Sequence, residues 1–581
     1  MKRIVLSVVV SAMVFCGSAA IDAYKWKKDS NGSWSGCVTD PEHWPNGVVP
    51  ENNARWWFDA PINASYDLTF PEGVYTNFAA FYPALYDGKS LTIDGQNTVW
   101  VHPENTEGAY HTTPFAIYSG VHVRDFVSLA LSGASPNPST SPNLVFSNFL
   151  ITATSPAARR AKVSFEKGHY EFLHPCGHSW AWSIQKPALY FFNLNSNDAT
   201  STKDLFDLIE VEFKPGTVLN APVIAVNGNA VSNVLTFAGT TNEIAVVDMP
   251  GRYDGQQIRE DRTVTDIIFD RSELTATNRF NLGGDARVTN RVFRAFFRNK
   301  SRALLPSMYF QCGELELNID DAEVEFGFNA RHSQNLSYDT VRSVKVNVTN
   351  GGKLINNQNY NDQGFYFGQN TKPERLHWMT VENSTLQLVP GSKMSIYGSL
   401  LTIKDSLFDV EGGSFFSSNQ LAENPAEVVF DHAVVTNKSN IALVSSGYGT
   451  VLFTNDTDVV FSSDLKIGGE ALDPPSNPPR ATVNMYGGRF LGTSTAGSLY
   501  IGYSANSEVT FNMYGGVISN AVNGQGISIG EGGCTKFNMY GGVINTFNPR
   551  LGSNEKVTYD YTGQEPAELT LYDGLIVSNE P

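Results

Sequence analysis

Three groups of side chains in this sequence have the types and spacing to do chemistry. The first is His169, His174, Cys176 and His178, followed by Trp180 and Trp182. Imidazole and thiolate are ligands that zinc prefers. The interval H-x4-H-x-C-x-H matches no established zinc spacing, and a polar aromatic loop accounts for the same residues. The second group is Glu382, Lys404 and Asp431, each followed by a second polar residue: Asn383, Asp405 and His432. If these positions are equivalent in successive repeats, stacking sets them ~5 Å apart on one face. Carboxylates and a base so placed can attack a glycosidic linkage. Opposite charges also stack favourably on a repeat surface without catalysing anything. The third group is Tyr486, Tyr514 and Tyr540, with Tyr572 as a weaker fourth member. A row of exposed aromatic faces can bind sugar rings; alternatively, the rings form a structural ladder in which each covers the next. Tyr486, Tyr514 and Tyr540 are the ligand-binding candidates. No catalytic residue, metal ligand or cofactor is assigned.

The tyrosines belong to a repeat that must position them. It reads Val483-Asn-Met-Tyr-Gly-Gly488, then Phe511-Asn-Met-Tyr-Gly-Gly516, then Phe537-Asn-Met-Tyr-Gly-Gly542, with a looser copy at Leu569-Thr-Leu-Tyr-Asp-Gly574. Apolar and polar residues alternate within each copy, which is the period of a half-buried strand, and Gly-Gly breaks it. Met485, Met513 and Met539 then point inward and the tyrosines outward. A second apolar motif, Leu499-Tyr-Ile-Gly502 and Ile527-Ser-Ile-Gly530, lies between copies. The expected unit is strand, turn, strand, turn, which closes a core only when copies stack. Upstream, Met379-Thr-Val-Glu-Asn-Ser-Thr-Leu-Gln-Leu388 matches Leu401-Thr-Ile-Lys-Asp-Ser-Leu-Phe-Asp-Val410 by residue type. Thr380 and Thr402 are then followed by equivalent positions near Val429, Leu452, Thr482, Thr510 and Lys536. Asp473-Pro-Pro-Ser-Asn-Pro-Pro-Arg480 reads as a loop insertion in the widest interval.

Further upstream, Arg287, Arg291, Arg294, Arg298 and Arg302 recur every three to four residues, a spacing that predicts one side of a helix. Such a stripe can bind an acidic polysaccharide or pair with nearby carboxylates.

The chain has 581 residues, 50 of them glycine, with 12% aromatic and 17% charged residues. That length exceeds one ordinary core, and the composition suits many short strands and tight turns. Residues 1–20 read as a secretory signal peptide: Lys2 and Arg3, an apolar run from Ile4 to Phe15, then Gly17-Ser-Ala-Ala20. Removing it takes the net charge from −17 to −19, since Lys2 and Arg3 are its only charges. An acidic chain argues against nucleic acid as a partner. No later stretch is long and apolar enough to span a membrane as a helix. Cys37, Cys176, Cys312 and Cys534 follow the leader, widely separated, with pairing that the sequence does not fix.

Residues 21–60 are rich in tryptophan: Trp26, Trp34, Trp44, Trp56 and Trp57. This opening, its Trp44-Pro-Asn-Gly-Val-Val-Pro50 turn and the later Leu91-Thr-Ile-Asp-Gly95 resemble the start of secreted bacterial β-helix proteins related to autotransporter passengers. Those carry autotransporter-associated β-strand repeats, and the Gly-rich repeats near the C-terminus are similar in style. The resemblance implies export, a β-helix and a surface or extracellular role, and carries over no catalytic residue. The alternating strands of a C-terminal membrane β-barrel are not seen at the chain end.

The expected fold is all-β: a parallel β-solenoid, as a right-handed, pectin-lyase-like β-helix, with an irregular N-terminal β-rich part. The expected divisions are a signal peptide (1–20), a Trp-rich β segment (21–131), an irregular β-rich region of early coils (144–309) and the repeat solenoid (310–581). Two functions remain open. One is an exported, non-enzymatic bacterial surface or extracellular protein for adhesion or carbohydrate binding, with glycans or neighbouring surface proteins as partners. The other is a carbohydrate-active β-helix enzyme, a polysaccharide lyase or glycosidase. The final repeat is followed only by Leu575 to Pro581, so its strand edges are expected to be covered by another chain or by further sequence, or to drive end-to-end self-association.

Overall fold

In a computed structural model the chain divides into two compact units, Met1–Ala225 and Val226–Pro581. The structure describes residues 23–51, 54–59, 65–76, 78–82, 90–102, 115–117, 120–132, 144–146, 160–173, 189–193 and 207–225 of the first. In the second it describes 230–249, 263–282, 291–306, 308–310, 313–327, 341–357, 365–368, 373–470, 477–494, 497–520, 526–546, 549–551 and 568–578. No described helix is long and apolar enough to cross a membrane.

The first unit is a stack of parallel strands. Ser90–His102 pairs with Gly120–Ser132, which pairs with Arg160–Leu173, which continues onto Leu208–Phe213 and Thr217–Ala225. At its start Ala23–Lys25 lies beside Arg55–Asp59. The tryptophans gather there. Trp26, Trp44 and Trp56 are buried, and the indole N–H groups of Trp26 and Trp44 donate to the carbonyls of Trp34 and Val38 at 2.9 and 2.8 Å. Two of the three large rings thus fill the core with their polar edge bonded, while Trp56 Nε1 has no hydrogen-bond partner among the described residues. Cys37 Sγ lies 3.0 Å from Thr39 Oγ1, and Cys534 begins the strand Cys534–Met539; Cys176, Cys312 and the signal-peptide segment lie outside the described residues.

The second unit is a parallel β-solenoid. One column of strands runs His377–Glu382, Leu400–Lys404, Ala426–Asp431, the latter part of Asn440–Thr454, Arg480–Met485, Glu508–Met513, Cys534–Met539 and Glu568–Leu571. A second column includes Thr385–Leu388, Leu407–Val410, Asp458–Phe461, Arg489–Gly492, Val517–Asn520 and Val543–Thr546. A third includes Lys393–Tyr397, Ser414–Asn419, Leu465–Ile467, Leu499–Ile501 and Ile527–Ile529. Each coil in this part therefore has three strands, where the motifs alone predict two. The extra strand follows Gly-Gly and varies freely in its letters, as Arg489-Phe-Leu-Gly492, Val517-Ile-Ser-Asn520 and Val543-Ile-Asn-Thr546.

Alternation decides which side chains meet inside. Met485, Met513 and Met539 are fully buried in one column, as the repeat predicts. Apolar ladders run along the core: Phe237, Phe269 and Phe297 stack with ring centroids 4.8 Å apart at each step, and Phe511 lies 4.9 Å from Phe537. Those distances match the spacing of neighbouring strands, so burial and ring contact come from the same geometry. The register agrees with the sequence alignment at Thr380, Thr402, Val429 and Leu452, and at Thr482, Thr510 and Lys536. Between these two runs it differs by two residues, because Leu452 lies opposite Asn484 and Thr482 opposite Thr450. The loop insertion hides this shift. A two-residue slip preserves the outward face, so the side chains keep their predicted sides.

The arginine-rich segment is a strand, Arg291–Arg298, not a helix. Phe293, Ala295 and Phe297 alternate into the core, and this period of two overrides the three-to-four spacing of the arginines. Arg291 is buried. Arg294 donates to both carboxylate oxygens of Asp266 at 2.7 and 2.8 Å, Arg298 pairs with Asp270 at 3.0 Å, and Arg302 with Glu323 at 2.9 Å. Arg287 lies outside the described residues.

The Gly-Gly corner contains its own control. Gly488 has φ +86°, and a Cβ there would stand 2.1 Å from the Thr457 carbonyl oxygen. Gly487 has no such φ, and its nearest atom would be 3.7 Å away. Gly488→Ala is expected to cost about 2 kcal/mol or more through left-handed strain and backbone collision. Gly487→Ala should stay within about 0.5 kcal/mol of wild type, as surface changes usually do. Paired denaturation curves check this; equal losses would refute the assignment.

Candidate functional site

The repeat face is built by the same alternation that buries the methionines. One residue after each methionine, and after Leu571 in the looser copy, the chain turns outward at Tyr486, Tyr514, Tyr540 and Tyr572, which are 53%, 42%, 39% and 63% exposed. Their rings are nearly parallel, at 6°, 8° and 5°, with centroids 4.7, 4.9 and 4.7 Å apart. Each ring face therefore lies against the next ring, and the hydroxyl-bearing edges carry the exposure. A ligand approaching from the side meets phenol edges rather than a row of open faces.

A second outward column lies beside it. Asn512 Nδ2 donates to Asn484 Oδ1 and Asn538 Nδ2 to Asn512 Oδ1, both at 2.9 Å. Like residues stacked one per coil satisfy one another and leave a polar line along the face. A third outward column is Thr450, Thr482 and Thr510, followed by Lys536. These threonines line a groove of about 690 Å³ that also contains Tyr448, Arg480 and Glu508. The Arg480 guanidinium lies over the Tyr448 ring at 5.3 Å and 3.5 Å from Glu508. The sequence alone did not indicate this groove.

The Glu382, Lys404 and Asp431 positions do stack on successive coils. Lys404 Nζ lies 2.6 Å from Glu382 Oε1, and this hydrogen bond raises the ammonium pKa above its ordinary value. Lys404 is thus held as a cation, the wrong state for a base. Asp431 accepts a hydrogen bond from Thr454 Oγ1 at 2.9 Å and another from Asn455 Nδ2. Asn383, Asp405 and His432 form the next column at a strand corner, with φ of 50°, 49° and 49°. His432 Nδ1 lies 2.7 Å from Asp405 Oδ1, a contact that raises the imidazole above its usual value. The buried hydroxyl of Ser406 accepts from the Ser384 N–H at 3.0 Å and locks this corner. Lys404 with Glu382 and His432 with Asp405 are therefore paired across neighbouring coils, and Asp431 is held by neutral donors.

Of the histidine cluster, His169 sits on the strand Arg160–Leu173, with Nε2 3.0 Å from Asn220 Nδ2 and 3.4 Å from Glu171. His174, Cys176 and His178 lie outside the described residues. Comparison of the chain with protein-family models, with curated proteins and with solved structures finds no match.

Proposed function

We propose that this is an exported, non-enzymatic β-helix protein of the bacterial surface or extracellular space, related in kind to autotransporter passengers, that contacts glycans through its repeat face. The observation that carries this reading is the set of threonine, asparagine and tyrosine columns, repeated in register on one outward face. Hydroxyls and amides recurring once per coil suit a polymer whose hydroxyls also recur. Because the tyrosine faces are covered, contact is by hydrogen bonds at ring edges and amides, weak singly and strengthened by repetition. An enzyme using Glu382, Lys404 and Asp431 would need these groups turned toward a substrate, whereas Lys404 is paired with Glu382 and Asp431 accepts from Thr454 and Asn455.

The test is retention on a panel of insoluble polysaccharides, with soluble products followed in the same tubes. Retention without cleavage is expected. The triple variant Tyr486→Phe, Tyr514→Phe, Tyr540→Phe keeps the rings and removes three hydroxyls. Its affinity should fall about tenfold, from neutral hydrogen bonds worth about 0.5 kcal/mol each. Unchanged retention would remove the tyrosines from the site, and released oligosaccharides would favour the enzyme.

A further inference from the structure

We propose that the column Tyr486, Tyr514, Tyr540 and Tyr572 is a site of one-electron oxidation, through which copies of this chain become joined by dityrosine bonds. The geometry has three parts. The rings are nearly parallel with centroids 4.7–4.9 Å apart, so an electron passes readily between neighbours and oxidation of one ring spreads along the column. The second part is exposure: the phenol edges, which carry the hydroxyl and the reactive ortho carbons, face solvent. An oxidised ring there loses its phenolic proton to water at once. The third is the surroundings. The adjacent outward column is Asn484, Asn512 and Asn538 followed by Thr570, none of which is oxidised in place of a tyrosine.

Among the described residues, the other tyrosines lack this combination. Tyr66 and Tyr170 are buried. Tyr366 and Tyr397 are 5.6 Å apart at 30°, and Tyr500 and Tyr503 are tilted by 57°.

The reaction balances with a peroxide as oxidant and a haem peroxidase as catalyst. Two phenols each lose one electron and one proton. The phenoxyl radicals join through their ortho carbons, and the two displaced ring hydrogens return to the oxygens as the rings regain aromaticity. Hydrogen peroxide takes up the two electrons and two protons and becomes two waters. Within one column the rings meet face to face, whereas a biaryl bond requires ortho carbons edge to edge. The partner ring therefore belongs to another copy.

The experiment treats the full chain with hydrogen peroxide and a haem peroxidase. Moderate salt is needed, because the net charge of −17 makes copies repel. The expected result is denaturant-resistant dimers and larger species with dityrosine fluorescence. Their cross-linked peptides should carry these four residues out of the chain's 24 tyrosines. The quadruple Tyr→Phe variant keeps the stacked rings and should lose most of the product. Peptide mapping of the wild type decides the matter even if that variant folds poorly. Dityrosine confined to monomers, cross-links mainly at other tyrosines, or undiminished coupling in a folded quadruple variant would overturn the proposal. None of these readouts involves a glycan, so failure here leaves the glycan reading intact, and the reverse.

Discussion

Met513→Asp is expected to cost at least about 5 kcal/mol, because two losses combine at one position. Met513 is fully buried between Met485 and Met539, so truncating its thioether removes core contacts worth about 2–5 kcal/mol. A carboxylate in its place is a buried charge flanked by two thioethers that cannot neutralise it, and burying an unpaired ion costs several kcal/mol more. The damage has a predicted shape. Coils of a solenoid contact mainly their neighbours, so unfolding starts where the fault lies. Hydrogen exchange should rise first in Arg480–Met485, Glu508–Met513 and Cys534–Met539, while His377–Glu382 and Leu400–Lys404 remain protected. Tyr514→Asp, one residue later on the solvent side, loses two ring contacts and buries no charge, so it should cost about 1–3 kcal/mol, clearly less than Met513→Asp. Equal effects at the two positions, or uniform loss of protection across the second unit, would contradict the inward-outward assignment.

The methionine column was legible because the same letters recur. Asn-Met-Tyr-Gly-Gly written three times fixes period, face and turn together, and the buried methionines with exposed tyrosines follow from alternation alone. The middle strand of each coil was not legible. Arg489-Phe-Leu-Gly492 and Val517-Ile-Ser-Asn520 share only a buried residue at their second position, Phe490 and Ile518, and a single buried position makes a weak signal. The stacking of Glu382, Lys404 and Asp431 was readable from the alignment, but their mutual pairing depends on rotamers and on Thr454 and Asn455, which the alignment did not invoke. The arginine segment misled because charges occupied the helical period while Phe293, Ala295 and Phe297 occupied the strand period. Burial decides between such patterns, and three core positions outweigh ion pairs at half-exposed sites. The groove was invisible for a different reason. Its wall brings Ala422 and Pro425 beside Tyr448 and Arg480, residues far apart in sequence and outside the repeated motif.

Stability should fall as pH drops from about 6.5 toward 4, with His377 responsible for a definable share. His377 lies on the strand His377–Glu382, 1% exposed, its ring edge-on to Phe367 at 5.5 Å. Its Nε2 has no hydrogen-bond partner among the described residues. Burial pushes the imidazole from its ordinary 6.5 down to about 4, because charging it would place an unsolvated cation in the core. The sign follows from proton counting. Between these values the unfolded chain binds the proton and the folded chain does not, so acid favours unfolding. The full stability is present above pH 6.5, declines below it, and the His377 share is lost by about pH 4. That interval corresponds to about 3 kcal/mol. Against the upward push of burial, hydrogen bonds from Asn299, Arg271 and Arg298 hold the Asp270 carboxyl below its ordinary value, and its protonation adds its own loss at the acid end. The His377→Phe variant separates the two contributions, since a ring of similar size cannot titrate. Local opening energies at Val346 and Met379, read by hydrogen exchange at several pH values, should decline less steeply in the variant between pH 6.5 and 4. Parallel profiles would show that His377 is solvated or paired in the folded chain.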